Sequence, residues 1–405
     1  MAWLRRSGEA ASLSYPFLLW VCCLLGGASY VASYVRIPVV PLFARELGAG
    51  PMMVGLINSA FLLTTGVCAL PLGLAADRLG RKGLVVGGLG LGVLTGLALA
   101  FSTSPGELLI ISLFFGLGLA AVGPTLMAYV ADFSPSTHLG RSYGAYTLSI
   151  YGGMSLGPAL GGWLAQLLDF RPLFVVAAGL TGLVALLALL FLPGKTAGGH
   201  PASAAVAPPP PWGQLLRHPP LLGCWLITLG GCFGLGMFVT FAPLHMQDHG
   251  LPMGEIGLVF ALQAGVNALS RVPFGRLSDR VRQRWRMALV GFLTLGASLA
   301  GFGLARTLGQ FLMAAGVLGL AMGLGFTPVG ALIAEVVPHN ARGLAMGGYN
   351  TCIYLGMMLS SATMGALVEA WGFVGGYILA GVAVALAALG FYFLIRDFAP
   401  PLHHL

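Results

Sequence analysis

Long apolar runs separated by short polar turns dominate the hydrophobic pattern of this chain. A helix needs about 20 predominantly apolar residues to cross a lipid bilayer. Twelve such runs are present, at roughly 15–43, 54–76, 83–102, 107–131, 143–168, 172–192, 220–245, 255–277, 287–306, 309–335, 343–370 and 373–395. The pattern therefore predicts an all-α polytopic membrane protein with twelve transmembrane helices, numbered α1 to α12 in chain order.

One segment interrupts this pattern between α6 and α7. Residues 193–219 are rich in proline, alanine and glycine and show no helical periodicity, which is typical of an irregular linker. The linker divides the chain into two six-helix bundles, at 1–192 and 220–405. The first apolar run is longer than the about 7–15 residues of a signal-peptide core, so we interpret it as an uncleaved first helix.

The two bundles repeat one another in sequence. Residues at the end of α2 recur 202 positions later at the end of α8: Pro71 with Pro273, Gly73 with Gly275, Asp77 with Asp279, and Arg78 with Arg280. Further along the chain the offset becomes 203, as for Asp132 with Glu335 and Gly153 with Gly356. Parallel repeats related by an axis along the membrane normal are a known plan for transporters. The repeat predicts two pseudo-symmetric halves that share one orientation in the membrane.

Composition supports a lipid-exposed chain and argues against other classes of protein. Of 405 residues, 57% are apolar and 8% are charged, whereas soluble domains carry about 25% charged residues. The net charge of +8 comes from short basic clusters, without the aromatic-rich basic face that nucleic-acid binding requires. The sequence contains no catalytic triad, phosphate loop or metal-ligand spacing. We therefore expect no enzyme activity, no cofactor, no metal and no nucleic acid.

Lysine and arginine are distributed unequally between the two ends of the predicted helices. Fifteen lie on the side shared by both termini and the linker, and three (Arg45, Arg171 and Arg306) lie on the other side. Cytoplasmic loops carry the excess of basic residues. The distribution predicts a multi-pass protein of the plasma (inner) membrane, with both termini and the linker in the cytoplasm, and we expect a monomer in the lipid bilayer.

The turn between α2 and α3 carries a dense polar motif. It reads Gly73-Leu-Ala-Ala-Asp77-Arg78-Leu-Gly80-Arg81-Lys82. Glycine at its start would allow a neighbouring helix to approach, and Gly80 would permit a tight turn. The motif resembles the loop signature of the major facilitator superfamily, and the helix number, the linker and the second copy extend the resemblance to essentially the whole chain.

The resemblance implies that Asp77, Arg81 and Asp132 form a cytoplasmic charge network that holds the outward-facing state of a transporter. The second copy keeps Gly275, Asp279 and Arg280, but Val281, Arg282 and Gln283 replace the Leu-Gly-Arg of the first. The alternative is a basic cytoplasmic turn without a gating role.

Helix α5 carries a second motif, made of five glycines and a proline. Its fixed positions are Gly144, Gly153, Gly157, Pro158, Gly161 and Gly162. Glycine destabilises a helix by about 1 kcal/mol relative to alanine, so this density indicates very close helix packing. The motif resembles the antiporter signature of drug:proton antiporters, which implies proton-coupled efflux of a small organic molecule. Packing alone, compatible with import, is the alternative.

Two features differ from that family. The arginine that drug:proton antiporters usually carry in α4 is replaced by Ser112, and α1 contains no acidic residue. In α11, Ser360 and Ser361 stand where α5 has Gly157 and Pro158. The usual proton-coupling groups are therefore absent or moved.

Polar groups within the apolar runs are candidate functional residues, because a charge at mid-membrane costs at least about 2.5–3.5 kcal/mol. Two arginines meet this description, Arg36 in α1 and Arg271 in α8. Arg36 either reaches the outer interface or lines a cavity, and Arg271 either lines the cavity or partners the cytoplasmic charge network. Neutral candidates for the substrate cavity are Asn58, Gln263, Asn267, Asn350 and Tyr354.

The positions of Gln263, Asn267 and Arg271 at intervals of four residues predict one shared face of α8. Because the usual acidic groups are missing and two arginines lie within the apolar runs, the alternative to proton-coupled efflux is an organic-anion carrier, importing or exchanging, with Arg36 or Arg271 as counter-ion. His245, at the outer end of α7, is a possible proton site. The alternative for His245 is a surface histidine.

Overall fold

The computed structural model describes residues 15–194, 217–281 and 283–396. Within these ranges the side chains of ten residues are not described: Leu70, Leu74, Ala76, Asp77, Arg78, Leu79, Ser136, Leu139, Gly140 and His339. Most of the predicted linker, together with Arg282, lies outside the described residues, so its predicted irregular structure stays a prediction.

The described chain consists of long helices. Helix α1 is Tyr15–Tyr34 with a second segment at Val39–Glu46, followed by α2 (Pro51–Leu79), α3 (Arg81–Phe101), α4 (Pro105–Phe133), α5 (Leu139–Leu168), α6 (Phe170–Phe191), α7 (Pro219–Asp248), α8 (Met253–Arg280), α9 (Arg284–Leu304) and α10 (Leu308–Val336). The last helical stretch, Arg342–Ile395, contains Gly372 with φ 72° and ψ 175°. Because no helix continues through this conformation, it is two helices, α11 (342–371) and α12 (373–395).

In the described part of the chain, ten stretches are long and apolar enough to cross a bilayer. One of them is the α11–α12 pair, and the glycine-rich α5 is a further 30-residue helix outside those ten. The twelve predicted helices are therefore confirmed. Helix α1 bends at residues 35–38 because Ile37 precedes Pro38, and the residue before a proline is disfavoured in a helix.

Backbone conformations at the helix ends follow the sequence repeat. Gly48 after α1 and Gly250 after α7 adopt φ values of 90° and 78°. Between α5 and α6, Asp169 has φ 65°, and its repeat equivalent Gly372 has φ 72°. Positive φ favours glycine, which explains three of these four residues, and the fourth is an aspartate, one of the residues that tolerate it best.

The two halves are joined at one end of the bundle. We call the end where α6 finishes and α7 begins the linker end, and the opposite end the distal end. One buried apolar cluster lies within the N-terminal half at the linker end and includes Leu25, Val130 and Tyr146. A second, larger cluster runs from the C-terminal half into the distal part of the N-terminal half, where it includes Phe43 and Ile57. The halves thus share a continuous core at the distal end.

Candidate functional site

Backbone contact between α2 and α11 closes one side of the distal end. At Gly55 an added Cβ would clash with the carbonyl oxygen of Ser361, and at Gly365 it would lie 2.6 Å from the Cα of Met52. The backbone N–H of Met52 donates to Oε1 of Glu369 at 2.9 Å. This acceptor lies at the start of α2, where a helix favours negative charge.

The repeat-equivalent contact between α5 and α8 closes the other side. An added Cβ at Gly257 would clash with the carbonyl oxygen of Pro158, and at Gly162 it would lie 2.9 Å from the Cα of Gly257. The backbone N–H of Gly254 donates to Oε1 of Gln166 at 3.1 Å. The glycines, the clashing carbonyl and the hydrogen-bonded pair of this contact lie 202 or 203 positions from their counterparts in the α2–α11 contact. We call the two contacts together the distal seal.

Glycines of the α5 motif also pack within the N-terminal half. Gly153, Gly157 and Gly161 would each bring an added Cβ into steric conflict with α1. The predicted close packing is therefore confirmed at these positions and at Gly162. It is wrong for Gly144, where an added Cβ would meet no described atom within 4 Å, because Gly144 lies near the linker end, away from the distal seal.

A polar cluster lies beside the α2–α11 contact. Nδ2 of Asn58 donates to Oγ1 of Thr240 at 2.7 Å and to Oγ of Ser361 at 3.1 Å. The hydroxyls of Thr240 and Ser361 are 2.7 Å apart. Ser361 is the repeat equivalent of Pro158, so its hydroxyl has no counterpart at the α5–α8 contact, where Oγ of Ser155 donates to the carbonyl oxygen of Ala261 at 2.9 Å. Asn58, predicted to line the cavity, thus bridges the two halves.

The rim of the distal end carries an ion pair between the halves. Nη1 of Arg45 lies 2.6 Å from Oδ1 of Asp248 and donates to Oε1 of Gln247 at 3.1 Å. The two charged side chains are 31% and 43% exposed, so solvent screens their attraction.

We expect Arg45→Gln to loosen the distal end only slightly. An exposed ion pair contributes about 0.2–1 kcal/mol, which corresponds to at most about a fivefold shift between conformations. Labelling of a cysteine placed at Asn58 by an impermeant maleimide added from the distal side measures this shift. The charge-swapped pair Arg45→Asp with Asp248→Arg should restore the original rate, and a large effect of Arg45→Gln alone would contradict the estimate.

Arg271 and four tyrosines form a second cluster between the halves. The guanidinium carbon of Arg271 lies 4.4 Å from the ring centroid of Tyr151 in α5, within the range of a cation–π interaction. The rings of Tyr30 and Tyr34 stack at 5.7 Å, and both side chains lie near Tyr151 and Tyr354. All five side chains are half-buried. We call this group the tyrosine cluster.

The other predicted cavity residues stay predictions. Nε2 of Gln263 contacts Sδ of Met322 in α10 at 2.8 Å, within the same half. Asn267 is buried, and its Oδ1 has no hydrogen-bond partner in the described part of the chain. Asn350 is exposed. Among the three predicted residues of α8, Arg271 is the one whose described contacts reach the opposite half.

Arg36 lies inside the N-terminal half. Its side chain is 2% exposed, so of the two alternatives for Arg36 the one in which it reaches the outer interface is wrong, and its place in a substrate cavity stays a prediction. Nη2 donates to the carbonyl oxygen of Gly92 at 3.0 Å, and Nη1 donates to Oγ1 of Thr95 at 3.4 Å. The guanidinium carbon lies 4.7 Å from the ring centroid of Phe115. The bend in α1 directs Arg36 between α3 and α4.

Each half carries an ion pair at the linker end. Arg81 pairs with Asp132, and Arg284 pairs with Glu335 at 2.5 Å. The offset of 203 makes Arg284 the equivalent of Arg81, so the expectation that Gln283 replaces this arginine is wrong. The reason is one additional residue in the second turn.

The remaining residues of the predicted gating motif have separate outcomes. Gly80 adopts φ 84°, which confirms its role in the turn. An added Cβ at Gly73 would meet no described atom within 4 Å, so the predicted close approach is absent in this conformation, because the halves are joined at the distal end instead. The side chains of Asp77 and Arg78 are among those that the structure does not describe, so their predicted roles stay predictions.

His245 is buried rather than at the surface. It is 2% exposed, and its ring centroid lies 5.3–5.6 Å from those of Phe311, Phe373 and Tyr377. The ring of His249 lies 4.8 Å away. His245 therefore sits in an aromatic environment of the C-terminal half.

Comparison with known proteins adds a family match, two relatives and one solved structure. The family model described as Major Facilitator Superfamily matches residues 22–255 and 232–404. The chain is 27% identical to the multidrug resistance protein MdtH of Aeromonas hydrophila, over 82% of this chain and 83% of MdtH. It is 25% identical to the 4-hydroxybenzoate transporter PcaK of Pseudomonas putida, over 82% and 80%. A bacterial homologue of the human lysosomal transporter Spinster, crystallised in an inward-facing and occupied conformation, has a TM-score of 0.80 at 17% identity, with 95% and 97% coverage.

Proposed function

The chain belongs to the major facilitator superfamily of membrane transporters, and we propose that it exports a small organic molecule by proton-coupled alternating access. The distal seal carries this proposal. Two repeat-equivalent contacts join the halves at one end, and side chains that can contact a substrate lie between the halves nearer the linker end. Separating the seal while closing the linker end would expose the same cluster to the other side of the membrane.

Orientation follows from the distribution of basic residues. Fifteen lysines and arginines on the side of the linker, against three on the other, favour a cytoplasmic linker and cytoplasmic termini. The described conformation is then closed to the outside and inward-facing. In an exporter this state receives the substrate from the cytoplasm, and the plasma membrane is its proposed location.

The α5 motif and one group of relatives support export. Pro158 and Gly162 of the motif lie in the distal seal itself, so the motif acts where the outward-facing state would open. The relative MdtH is named as a multidrug resistance protein. The resemblance of the motif to the antiporter signature and the name of this relative favour efflux of an organic molecule over uptake.

Proton coupling is proposed through His245. No carboxylate among the described residues lies deep within a helix, which leaves His245 as the candidate proton-binding side chain near the distal end. Asp248, His249 and Tyr377 are the charged or titratable groups described near this ring, and Arg306 lines a pocket together with His249. A charge on His245 would be costly among aromatic rings, so its protonation is expected to accompany a change of packing there.

The test is transport by protein reconstituted in proteoliposomes under an imposed pH gradient. A thermal-shift screen of drugs, sugars and organic acids first selects the substrate. We expect the gradient to drive substrate movement at least severalfold faster than exchange without it, and His245→Gln to remove that difference. His249→Gln is the matched control. Transport that does not respond to any ion gradient would remove the antiport part and leave the transporter assignment intact.

A second candidate is an organic-anion carrier. Arg271, held against Tyr151 between the halves, favours it, because a half-buried cation attracts an anionic substrate. Of the two arginines considered as counter-ion, Arg271 lies between the halves and Arg36 lies within one of them. The relative PcaK is named as a transporter of 4-hydroxybenzoate, an aromatic carboxylate.

A further inference from the structure

Arg36 carries a buried charge that none of the described carboxylates pairs with. Its neighbours form a pocket in the N-terminal half, in which Asn58 and Ser112 are the other polar side chains and the rest are apolar. A guanidinium has five N–H donors. The described hydrogen bonds of Arg36 go to Gly92 and Thr95, and its Nε has no described partner. The pocket is therefore lined by a guanidinium that still has N–H groups available to donate to a ligand.

The surroundings hold this guanidinium in place. Phe115 presents its ring face at 4.7 Å. Gly96 makes room for the guanidinium, since an added Cβ there would lie 2.9 Å from Nη2 and 3.0 Å from the Cβ of Ala178. The backbone of Arg36 belongs to the bend of α1, where its carbonyl oxygen accepts from Val40 at 2.9 Å. A preorganised donor of this kind binds an anion with little further ordering.

The size of the pocket limits what can bind. The volume open to the centre of a water molecule is about 40 Å³. One water needs about 10–15 Å³ measured in this way, so the pocket accommodates a few water-sized groups. Pockets for drug-sized ligands are about 300–1,000 Å³. The pocket therefore fits an inorganic anion or a single carboxylate group, and a complete drug molecule is too large.

We propose that this pocket is a binding site for a small monovalent anion such as chloride or formate, held by Arg36 with the hydroxyl of Ser112. A bound anion would neutralise the buried guanidinium, which removes most of the cost of a single charge in a low-dielectric interior. The site lies within one half and is separate from the tyrosine cluster. It binds its anion whichever direction of transport and whichever substrate apply.

The test is an anion titration of the purified full chain in detergent, at constant ionic strength with gluconate as the replacement anion. We expect chloride and formate to raise the melting temperature saturably, and calorimetry to give matching affinities. Arg36→Gln should weaken both affinities about tenfold or more, because a hydrogen bond to a charged group contributes at least that factor. Arg171→Gln removes the same charge from the distal end of the same half, outside the pocket, and should leave both affinities unchanged.

Gly96→Ala provides a second variant in case Arg36→Gln does not fold. It crowds Nη2 without changing any charge and should also weaken anion binding. A bromide-soaked crystal should show an anomalous peak beside the guanidinium. The proposal is overturned if the wild-type protein shows no saturable effect of chloride or formate, or if both variants keep full affinity. Benzoate binding as tightly as formate through Arg36 would replace the small-anion site with one for a substrate carboxylate.

Discussion

Gly257→Val is expected to reduce transport by roughly a hundredfold, because it prevents the distal seal from closing. Even the first added carbon would clash with the carbonyl oxygen of Pro158 and lie 3.1 Å from the Cα of Gly162. Overpacking of this kind costs about 1–3 kcal/mol, and backbone atoms have little freedom to move away. A cost of about 3 kcal/mol lowers the ratio of closed to open molecules by roughly a hundredfold.

Two measurements separate a conformational effect from a folding defect. Transport in proteoliposomes should fall, while a cysteine at Asn58 should react faster with an impermeant maleimide added from the distal side. Gly55→Val, at the repeat-equivalent contact, should have the same two effects. Gly301→Val is the control, because Gly301 is exposed in the same half and an added Cβ there would meet no described atom within 4 Å. Slow transport with unchanged labelling would show that the seal is not the affected step.

The helices and the repeat were predictable because they depend on local properties of the chain. An apolar run of sufficient length predicts a helix wherever its partners lie. The α5 glycines were predictable for a related reason, since glycine in a helix interior is unfavourable unless a neighbouring backbone comes close. Gly144 shows the limit of this argument, because the sequence does not reveal which helix ends remain apart in a given conformation.

The polar contacts were less predictable because they depend on which helices meet. Gln166 and Glu369 lie at equivalent positions of the repeat and both accept a backbone N–H of the opposite half. Their 203-residue offset was an available signal, but nothing local distinguishes them from other polar residues at helix ends. Matching Arg284 to Arg81 requires an offset of 203 instead of 202, because one additional residue in the second turn moves the arginine without changing the helices around it.

The burial of Arg36 could not be predicted for the same reason. Its position along α1 was compatible with the outer interface, and long basic side chains commonly reach such an interface. The bend before Pro38 and the small residue Gly96 together direct it inward instead. The outcome depends on tertiary contacts that only the assembled half provides.

Arg271→Gln is expected to distinguish the two candidate functions by its effect on anionic substrates. If the substrate carries a carboxylate that binds Arg271, its transport should fall about tenfold to a hundredfold, because a hydrogen bond to a charged group contributes about 1.5–3 kcal/mol. A neutral substrate should be transported at nearly the original rate. Benzoate is a suitable anionic probe, since the tyrosine cluster offers aromatic faces beside the guanidinium.

Two further variants show whether the change in benzoate transport depends on the position of the arginine or only on the loss of a positive charge. Arg276→Gln removes an exposed arginine from the same helix, outside the tyrosine cluster, and should leave benzoate transport unchanged. Tyr151→Leu keeps Arg271 but removes the ring beneath it, and a cation–π contact contributes about 0.5–2 kcal/mol, so a smaller loss is expected. Benzoate transport that survives Arg271→Gln would exclude Arg271 as the counter-ion and favour export of an uncharged or cationic molecule. Loss of benzoate transport in Arg271→Gln alone would instead make the tyrosine cluster an anion-binding site. In that case the carboxylate of the substrate neutralises the guanidinium of Arg271.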